Sequence, residues 1–145
     1  MGQRVYNQDL ELILADGAAA VTADGQSQVG GAAAEKKLGP GRFEGVLIVD
    51  VSAIDIVSND ELYHLCLQGA ASGDDAFTTV ENLAQLTLGA TEVRPGGAID
   101  SVIGRYEIPF TTEQHDTVYS WVRLYVDVAG TTPSITFKAW IAERY

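Results

Sequence analysis

The side chains that could carry out catalysis are few in this sequence. It holds the histidines His64 and His115 and the single cysteine Cys66. Covalent catalysis needs a nucleophile beside a base that a third group orients, and the chain contains no GxSxG or HExxH motif to supply such a set. His64 and Cys66 alternate with leucines, which favours structural roles, and His115 lies in a polar segment, which favours solvation. The residues therefore predict that the protein is not an enzyme.

Two segments have residues that could bind an ion, but each lacks part of the pattern. Asp74 and Asp75 follow a Ser-Gly pair, yet the alternating Asp and Asn ligands of a calcium loop are missing. Residues 39–45, GPGRFEG, resemble a phosphate-binding loop, but they lead into an apolar β-branched segment and not into a helix whose N-terminus would bind the anion. We therefore expect neither a metal site nor a cofactor.

The charge and length of the chain limit its class and its partners. The net charge is −11, with 9 lysines and arginines spread along 145 residues. Nucleic acids and anionic membranes bind clustered cations, so neither is expected as a partner. No apolar stretch approaches the ~18 residues of a membrane span, and no basic start precedes an apolar run, so we expect no signal peptide. The length fits a single domain over residues 1–145.

Alternating apolar residues predict about eight strands and no sustained amphipathic helix. Gly45–Ile54 is nearly all apolar, which is typical of a strand buried on both faces, and Pro109 favours an edge strand. Residues 25–44, rich in glycine, alanine and polar residues, are predicted to form a long loop. Turn signals between the strands favour an all-β, antiparallel β-sandwich or barrel. The predicted strands are residues 9–14, 18–23, 45–54, 61–69, 105–110 and a closing pair, while 77–88 fits both helical and strand spacing.

The closing segment, residues 119–145, contains two alternating runs on either side of residues 130–133. A hairpin with this loop would place Val122 opposite Ile141, and the positions that follow would pair in the same apolar way. One face of the predicted hairpin is therefore a core face.

The opposite face of this predicted hairpin carries aromatic and cationic side chains. Cross-strand pairing would join Arg123 with Trp140 and Tyr125 with Lys138. Such pairs either stabilise a solvent-facing sheet or form a protein-binding patch, because Trp, Tyr and Arg dominate interface hot spots. Both interpretations stay open. The predicted patch consists of Trp121, Arg123, Tyr125, Lys138 and Trp140.

The order of several segments resembles a known family. The most specific segment is YSWVRLYVDVAGTTPSITFKAWI (119–141), an aromatic-rich strand, a Gly/Thr turn and a final strand. The others are LELILADGAAAVTADGQS (10–27), GVLIVDVSAI (45–54), LCLQGAASGDDAF (65–77), LAQLTLGA (83–90) and RYEIPF (105–110). In this order they resemble the capsid cement, or decoration, proteins of tailed bacteriophages, in particular the small jelly-roll type of Bordetella-type phages. The segment 25–44 is longer here than in that pattern.

The resemblance implies a jelly roll that binds the outside of the phage head, bridges subunits of the major capsid protein and stabilises the capsid. It also implies self-association as a dimer or trimer, assembly in the bacterial host cytoplasm, and a place on the outer surface of the virion capsid. Residues 1–8 are predicted to form an N-terminal arm, whose Arg4, Val5 and Tyr6 would lie in a groove of the partner. The alternative is a carbohydrate-binding β-sandwich module of a phage tail or a lectin, in which uncovered aromatic rings would stack on a sugar.

Overall fold

The computed structural model of the protein describes residues 12–97 and 99–143. These residues form thirteen strands and no α-helix. The longer strands are β1 (Ile13–Asp16), β6 (Glu44–Ile54), β7 (Leu62–Ala70), β8 (Glu81–Gly89), β9 (Gly104–Thr111), β12 (Trp121–Ala129) and β13 (Ile135–Glu143). The shorter strands are β2 (Gly25–Gln26), β3 (Gln28–Val29), β4 (Ala32–Ala33), β5 (Glu35–Lys37), β10 (Glu113–Gln114) and β11 (Thr117–Val118).

The strands form two main antiparallel sheets that pack face to face. The front sheet has the order β1-β13-β6-β9. The back sheet has the order β2-β12-β7-β8, and β5 also pairs with β12. Two separate ladders join β3 to β4 and β10 to β11. The prediction of an all-β, antiparallel β-sandwich is confirmed.

The inner faces of the two sheets share one hydrophobic core, because alternate residues of each strand point inward. Leu47 and Val49 of the front sheet belong to the same buried cluster as Leu65 and Leu67 of the back sheet. The strand predicted at 45–54 is β6, which lies between β13 and β9 and is buried on both faces. The strands predicted at 61–69 and 105–110 are also present, the latter as the edge strand β9.

Several predicted elements differ from the structure. The strand predicted at 9–14 begins at Ile13, and its first residues lie outside the described part of the chain. Residues 18–23 form no strand, although Val21 makes one bridge to Ile135. The ambiguous segment 77–88 forms a strand only from Glu81 onward.

The prediction that residues 25–44 form one long loop is also wrong. The segment contains β2 to β5, and two of these strands complete the free edge of β12. Gln26 pairs with Tyr125, and Lys37 pairs with Trp121. Backbone groups of β12 need these partners whatever the side chains are, so the polar composition concealed the short strands.

The predicted pairing of the closing strands is wrong. β12 and β13 follow each other in sequence but belong to opposite sheets, so Val122 pairs with Gly69 and Ile141 pairs with Leu47. Val122 and Ile141 are nevertheless both fully buried, so the predicted core face is confirmed. A strand that bends across the core presents the same alternation as a hairpin strand, which is why the apolar pattern did not distinguish them.

Four connecting segments meet at one end of the sandwich, which we call the loop end. It consists of residues 17–24, 55–61, 90–97 with 99–103, and 130–134. The antiparallel registers place the starts of β7, β9 and β13 beside the ends of β6, β8 and β12. Strands β1 and β2 lie at one lateral edge of the sandwich, and β8 and β9 lie at the other.

Candidate functional site

The structure does not bring the predicted patch together. Trp121, Arg123 and Tyr125 lie on β12 in the back sheet, whereas Lys138 and Trp140 lie on β13 in the front sheet. The two groups face away from each other across the core, so the predicted pairs Arg123–Trp140 and Tyr125–Lys138 do not form. The predicted arm contacts of Arg4, Val5 and Tyr6 lie outside the described residues.

Aromatic rings on the back sheet are covered by cations from the same chain. The Lys37 ammonium lies 5.6 Å from the centroid of the Trp121 ring. The Arg123 guanidinium lies 4.6 Å from the Phe77 ring and 5.7 Å from the Tyr125 ring. These contacts stabilise the outer face of this sheet, and they occupy the rings that a sugar would need.

The Arg123 side chain is also fixed by hydrogen bonding and by a strained loop. Its Nε donates to Oε1 of Gln68 at 2.9 Å. Phe77 closes over the guanidinium with a φ of 52°, a conformation that a bulky residue adopts only when its surroundings impose it. Asp74 accepts hydrogen bonds from the backbone of Thr78 and Thr79 and thereby holds this loop. The Asp74 carboxylate thus has a structural role where a calcium loop had been considered.

Trp140 is a packing residue of the front sheet. It is only 4% exposed and belongs to a second buried cluster on the outer face of that sheet. The Arg105 guanidinium lies 5.2 Å from its ring. The cluster consists of Ile13, Val46, Ile48, Trp140 and Ala142, with Val29 packed against it.

The histidines and the cysteine form no catalytic arrangement among the described residues. His64 Nδ1 lies 3.1 Å from Thr87 Oγ1 and 3.1 Å from Gln85 Nε2, so neutral polar groups surround it. Burial raises the pKa of the Cys66 thiol, and the nearby Asp127 carboxylate raises this pKa further. A raised pKa keeps the thiol protonated and poorly nucleophilic at neutral pH. Within residues 12–97 and 99–143, no group of three or more His, Cys, Asp or Glu side chains is placed to hold a metal ion.

The loop end carries the large aliphatic side chains that are most exposed. Val57 is 88% exposed, Ile99 is 71% exposed, and Val102 and Ile103 are each 61% exposed. Val93, at 38%, lies at the same end. Val80, at 39% exposed, lies at the opposite end of the sandwich, in the segment between β7 and β8. Concentrations of exposed apolar side chains mark surfaces that bind other molecules, so the loop end is the candidate functional site.

Sequence reasoning missed this site, although a signal was present. The apolar residues Ile99, Val102 and Ile103 follow Pro95-Gly96-Gly97 without strand or helix periodicity. Apolar residues in a segment with turn chemistry are not needed to form a regular element, and they are therefore candidates for a surface contact.

Buried hydrogen bonds hold the loop end in shape. The Tyr63 hydroxyl donates to the carbonyl oxygen of Asp55 at 2.7 Å and accepts from the backbone N–H of Ser134 at 2.9 Å. Asp60 accepts two hydrogen bonds from Thr131. Gly130 has a φ of +111°, and a Cβ there would lie 2.6 Å from the Asp60 carbonyl oxygen. The segments 55–61 and 130–134 are thus a rigid platform for Val57.

Carboxylates surround the aliphatic side chains of the loop end. Asp60 and Asp100 have pKa values below the ordinary range, because threonine backbone N–H groups donate to both carboxylates. They therefore stay ionised at any neutral or mildly acidic pH. Arg94 is the cation of the described loop-end residues, and its Nη2 donates to the Ile99 carbonyl oxygen. The site is apolar at its centre and acidic at its rim.

A pocket of about 310 Å³ lies at the loop end on the lateral edge formed by β1 and β2. Its wall consists mainly of small side chains from the segment that joins these strands. The residues used below are Ala15, Ala18, Ala19, Ala20, Val21 and Phe137. Its volume lies at the lower limit of pockets that hold small organic groups.

Comparison of the chain with protein-family models, with curated proteins and with solved structures finds no match. Among the described residues, no helix is long and apolar enough to cross a membrane. The functional argument therefore depends on the sandwich and its loop end.

Proposed function

We propose that the protein is a capsid cement protein, a structural virion protein that binds the outside of a phage head and bridges subunits of the major capsid protein. The observation that carries this proposal is the concentration of Val57, Ile99, Val102 and Ile103 at one end of the sandwich. A protein that staples its neighbours needs a rigid body with an exposed apolar surface, and it needs no catalytic arrangement.

The energetics of the loop end support a protein partner. Burying a valine or isoleucine side chain contributes about 1.5–3 kcal/mol relative to leaving it exposed. The acidic rim favours a surface with cationic groups around an apolar centre, since complementary charges steer association and fix its register. The hydrogen bonds of Tyr63 and Asp60 order the platform before it binds, which reduces the entropic cost of association.

The strand order supports the finer proposal of a jelly roll. If β2 and β5 are counted as one strand, the long strands number eight along the chain. The front sheet then has the order 1-8-3-6 and the back sheet the order 2-7-4-5. Eight strands in two facing sheets with such crossing connections are the architecture of a jelly roll.

The charge of the protein supports a place on the outer surface of the capsid. Packaged DNA is a dense polyanion, and a chain with a net charge of −11 is repelled by it. The major capsid protein is therefore the proposed partner, and contacts with nucleic acid form no part of the proposal. Assembly in the bacterial host cytoplasm belongs to the same proposal, as does a contribution from Arg4, Val5 and Tyr6.

The alternative, a carbohydrate-binding module, has less support. A sugar-binding platform needs uncovered aromatic rings, and cations lie over the rings of Trp121, Tyr125 and Trp140. No observation on the described residues favours a sugar over a protein.

Co-sedimentation with expanded heads of the phage that encodes this chain tests the proposal. The heads are prepared without the protein, and the purified protein is titrated onto them. We expect saturable binding and an increased resistance of the heads to heat. Absence of binding to cognate heads would overturn the proposal, and a saturable change of tryptophan fluorescence with a glycan in the same preparation would favour the sugar-binding alternative.

A further inference from the structure

We propose that copies of this chain associate head to tail, with the exposed aliphatic side chains of residues 99–103 of one copy lying in the β1–β2 pocket of the next copy. The contact concerns the chain alone and does not require a capsid. It therefore extends beyond the proposed cement function.

The position of the two surfaces carries this proposal. Residues 99–103 belong to the segment that joins β8 to β9, at one lateral edge of the sandwich. The pocket is built by the segment that joins β1 to β2, at the other lateral edge. Both lie at the loop end. Each copy therefore presents a protruding apolar segment on one side and an apolar recess on the opposite side at the same height.

The shapes of the two surfaces are complementary. Ile99, Val102 and Ile103 project branched aliphatic side chains that are more than half exposed. The pocket has a volume of about 310 Å³, and its wall includes Ala20, Val21 and Phe137. Small wall residues leave room for branched side chains, and close packing of aliphatic groups in such a recess removes apolar area from water on both partners.

The geometry also determines the kind of oligomer. A contact between two different surfaces is heterologous, and repeated heterologous contacts close into a ring when the rotation between copies allows it. The surfaces lie on opposite lateral edges, so one pair of copies cannot satisfy both contacts around a two-fold axis. The proposal is therefore a cyclic ring of three or more copies, a trimer in its smallest form.

The charge of the chain makes a specific demand on this contact. Each copy has a net charge of −11, so two copies repel each other at low ionic strength. The attraction must then come from apolar burial, and added salt must strengthen association by screening the repulsion. A contact based on ion pairs would weaken under the same change.

Sedimentation velocity and light scattering on the full chain, at low and at moderate salt and over a range of concentrations, test the proposal. Two variants block opposite sides of the contact. The double substitution Ile99→Ser/Ile103→Ser removes the protruding side chains, and Ala20→Trp fills the pocket. Val80→Ser is the matched control, since it removes an exposed aliphatic side chain at the opposite end.

The expected results distinguish a head-to-tail contact from any other. Wild type and Val80→Ser form a ring of three or more copies that salt stabilises, and each blocking variant alone is monomeric. An equimolar mixture of the two blocking variants forms a 1:1 dimer and nothing larger, because only one intact contact remains. A wild type that stays monomeric would overturn the proposal, as would a mixture that stays monomeric while the wild type associates. Neither result depends on capsid binding, which co-sedimentation with heads measures separately.

Discussion

Asp60 holds Thr131 with both oxygens of its carboxylate. Oδ1 accepts the backbone N–H of Thr131 at 2.9 Å, and Oδ2 accepts the hydroxyl at 2.8 Å. This pair joins the segment after β6 to the segment that crosses from β12 to β13, so it fixes two of the four connections at the loop end. The same hydrogen bonds lower the pKa of Asp60, the backbone bond being the larger cause.

The lowered pKa of Asp60 predicts a loss of stability in acid. An unfolded aspartate titrates near pH ~3.9, so the unfolded chain binds this proton more readily than the folded chain does. The contribution is therefore fully present above about pH 4 and is lost as the pH falls through the lower folded pKa. Asp60→Asn should lose less stability between pH 5 and pH 3 than the wild type, measured by urea unfolding. Parallel pH profiles for the two proteins would contradict this role.

Removal of the Tyr63 hydroxyl should destabilise the protein. Tyr63→Phe leaves the buried N–H of Ser134 without its partner and should lower the free energy of unfolding by about 1–3 kcal/mol. Tyr125→Phe is the control, because the Tyr125 hydroxyl makes no hydrogen bond within the described residues and should change stability little. The measurement is urea denaturation followed by circular dichroism. Equal effects of the two substitutions would argue against a buried hydrogen-bond network at the loop end.

Trp140 should contribute to stability and Trp121 should contribute much less. Trp140→Ala removes a buried side chain of the outer cluster and should lower the free energy of unfolding by about 3–5 kcal/mol. Trp121 is half exposed, so Trp121→Ala should have a clearly smaller effect. Thermal unfolding of both variants checks the order. A stable Trp140→Ala protein would instead support the predicted binding patch.

The two faces of β12 show how far the sequence could predict the fold. Val122, Leu124 and Val126 alternate in a way that requires a core face, and that face is buried as predicted. The partner of the strand was not predictable, because alternation is the same in a hairpin and in a strand that crosses between sheets. Arg123 and Trp140 were therefore assigned to one surface although they lie on different sheets.

The loop end could not be predicted for a related physical reason. Val57 and Ile103 occupy connections that are far apart in sequence, and only the antiparallel registers of both sheets bring these connections to the same end. A single sequence gives the apolar character of each residue but not the long-range pairing that assembles them. Cross-strand periodicity is local information, whereas a surface composed of several loops is not.

The Cys66 thiol should react slowly with alkylating reagents. Its pKa is raised by burial and by Asp127, so the reactive thiolate is scarce at neutral pH. The rate of reaction with iodoacetamide in the native protein should be well below that of the same protein unfolded in urea, and Asp127→Asn should increase the native rate modestly. A native rate equal to the unfolded rate would contradict the described environment of the thiol.

The most direct test of the account compares capsid binding of two variants that differ only in the end they alter. Val57→Asp places a charge at the most exposed aliphatic position of the loop end, and Val80→Asp makes the same change at the opposite end. Co-sedimentation with expanded heads that lack the protein gives a dissociation constant for each. We expect Val57→Asp to bind at least about tenfold more weakly than the wild type and Val80→Asp to bind as the wild type does. Unchanged binding by Val57→Asp, with loss of binding by Val80→Asp, would show that the opposite end faces the capsid.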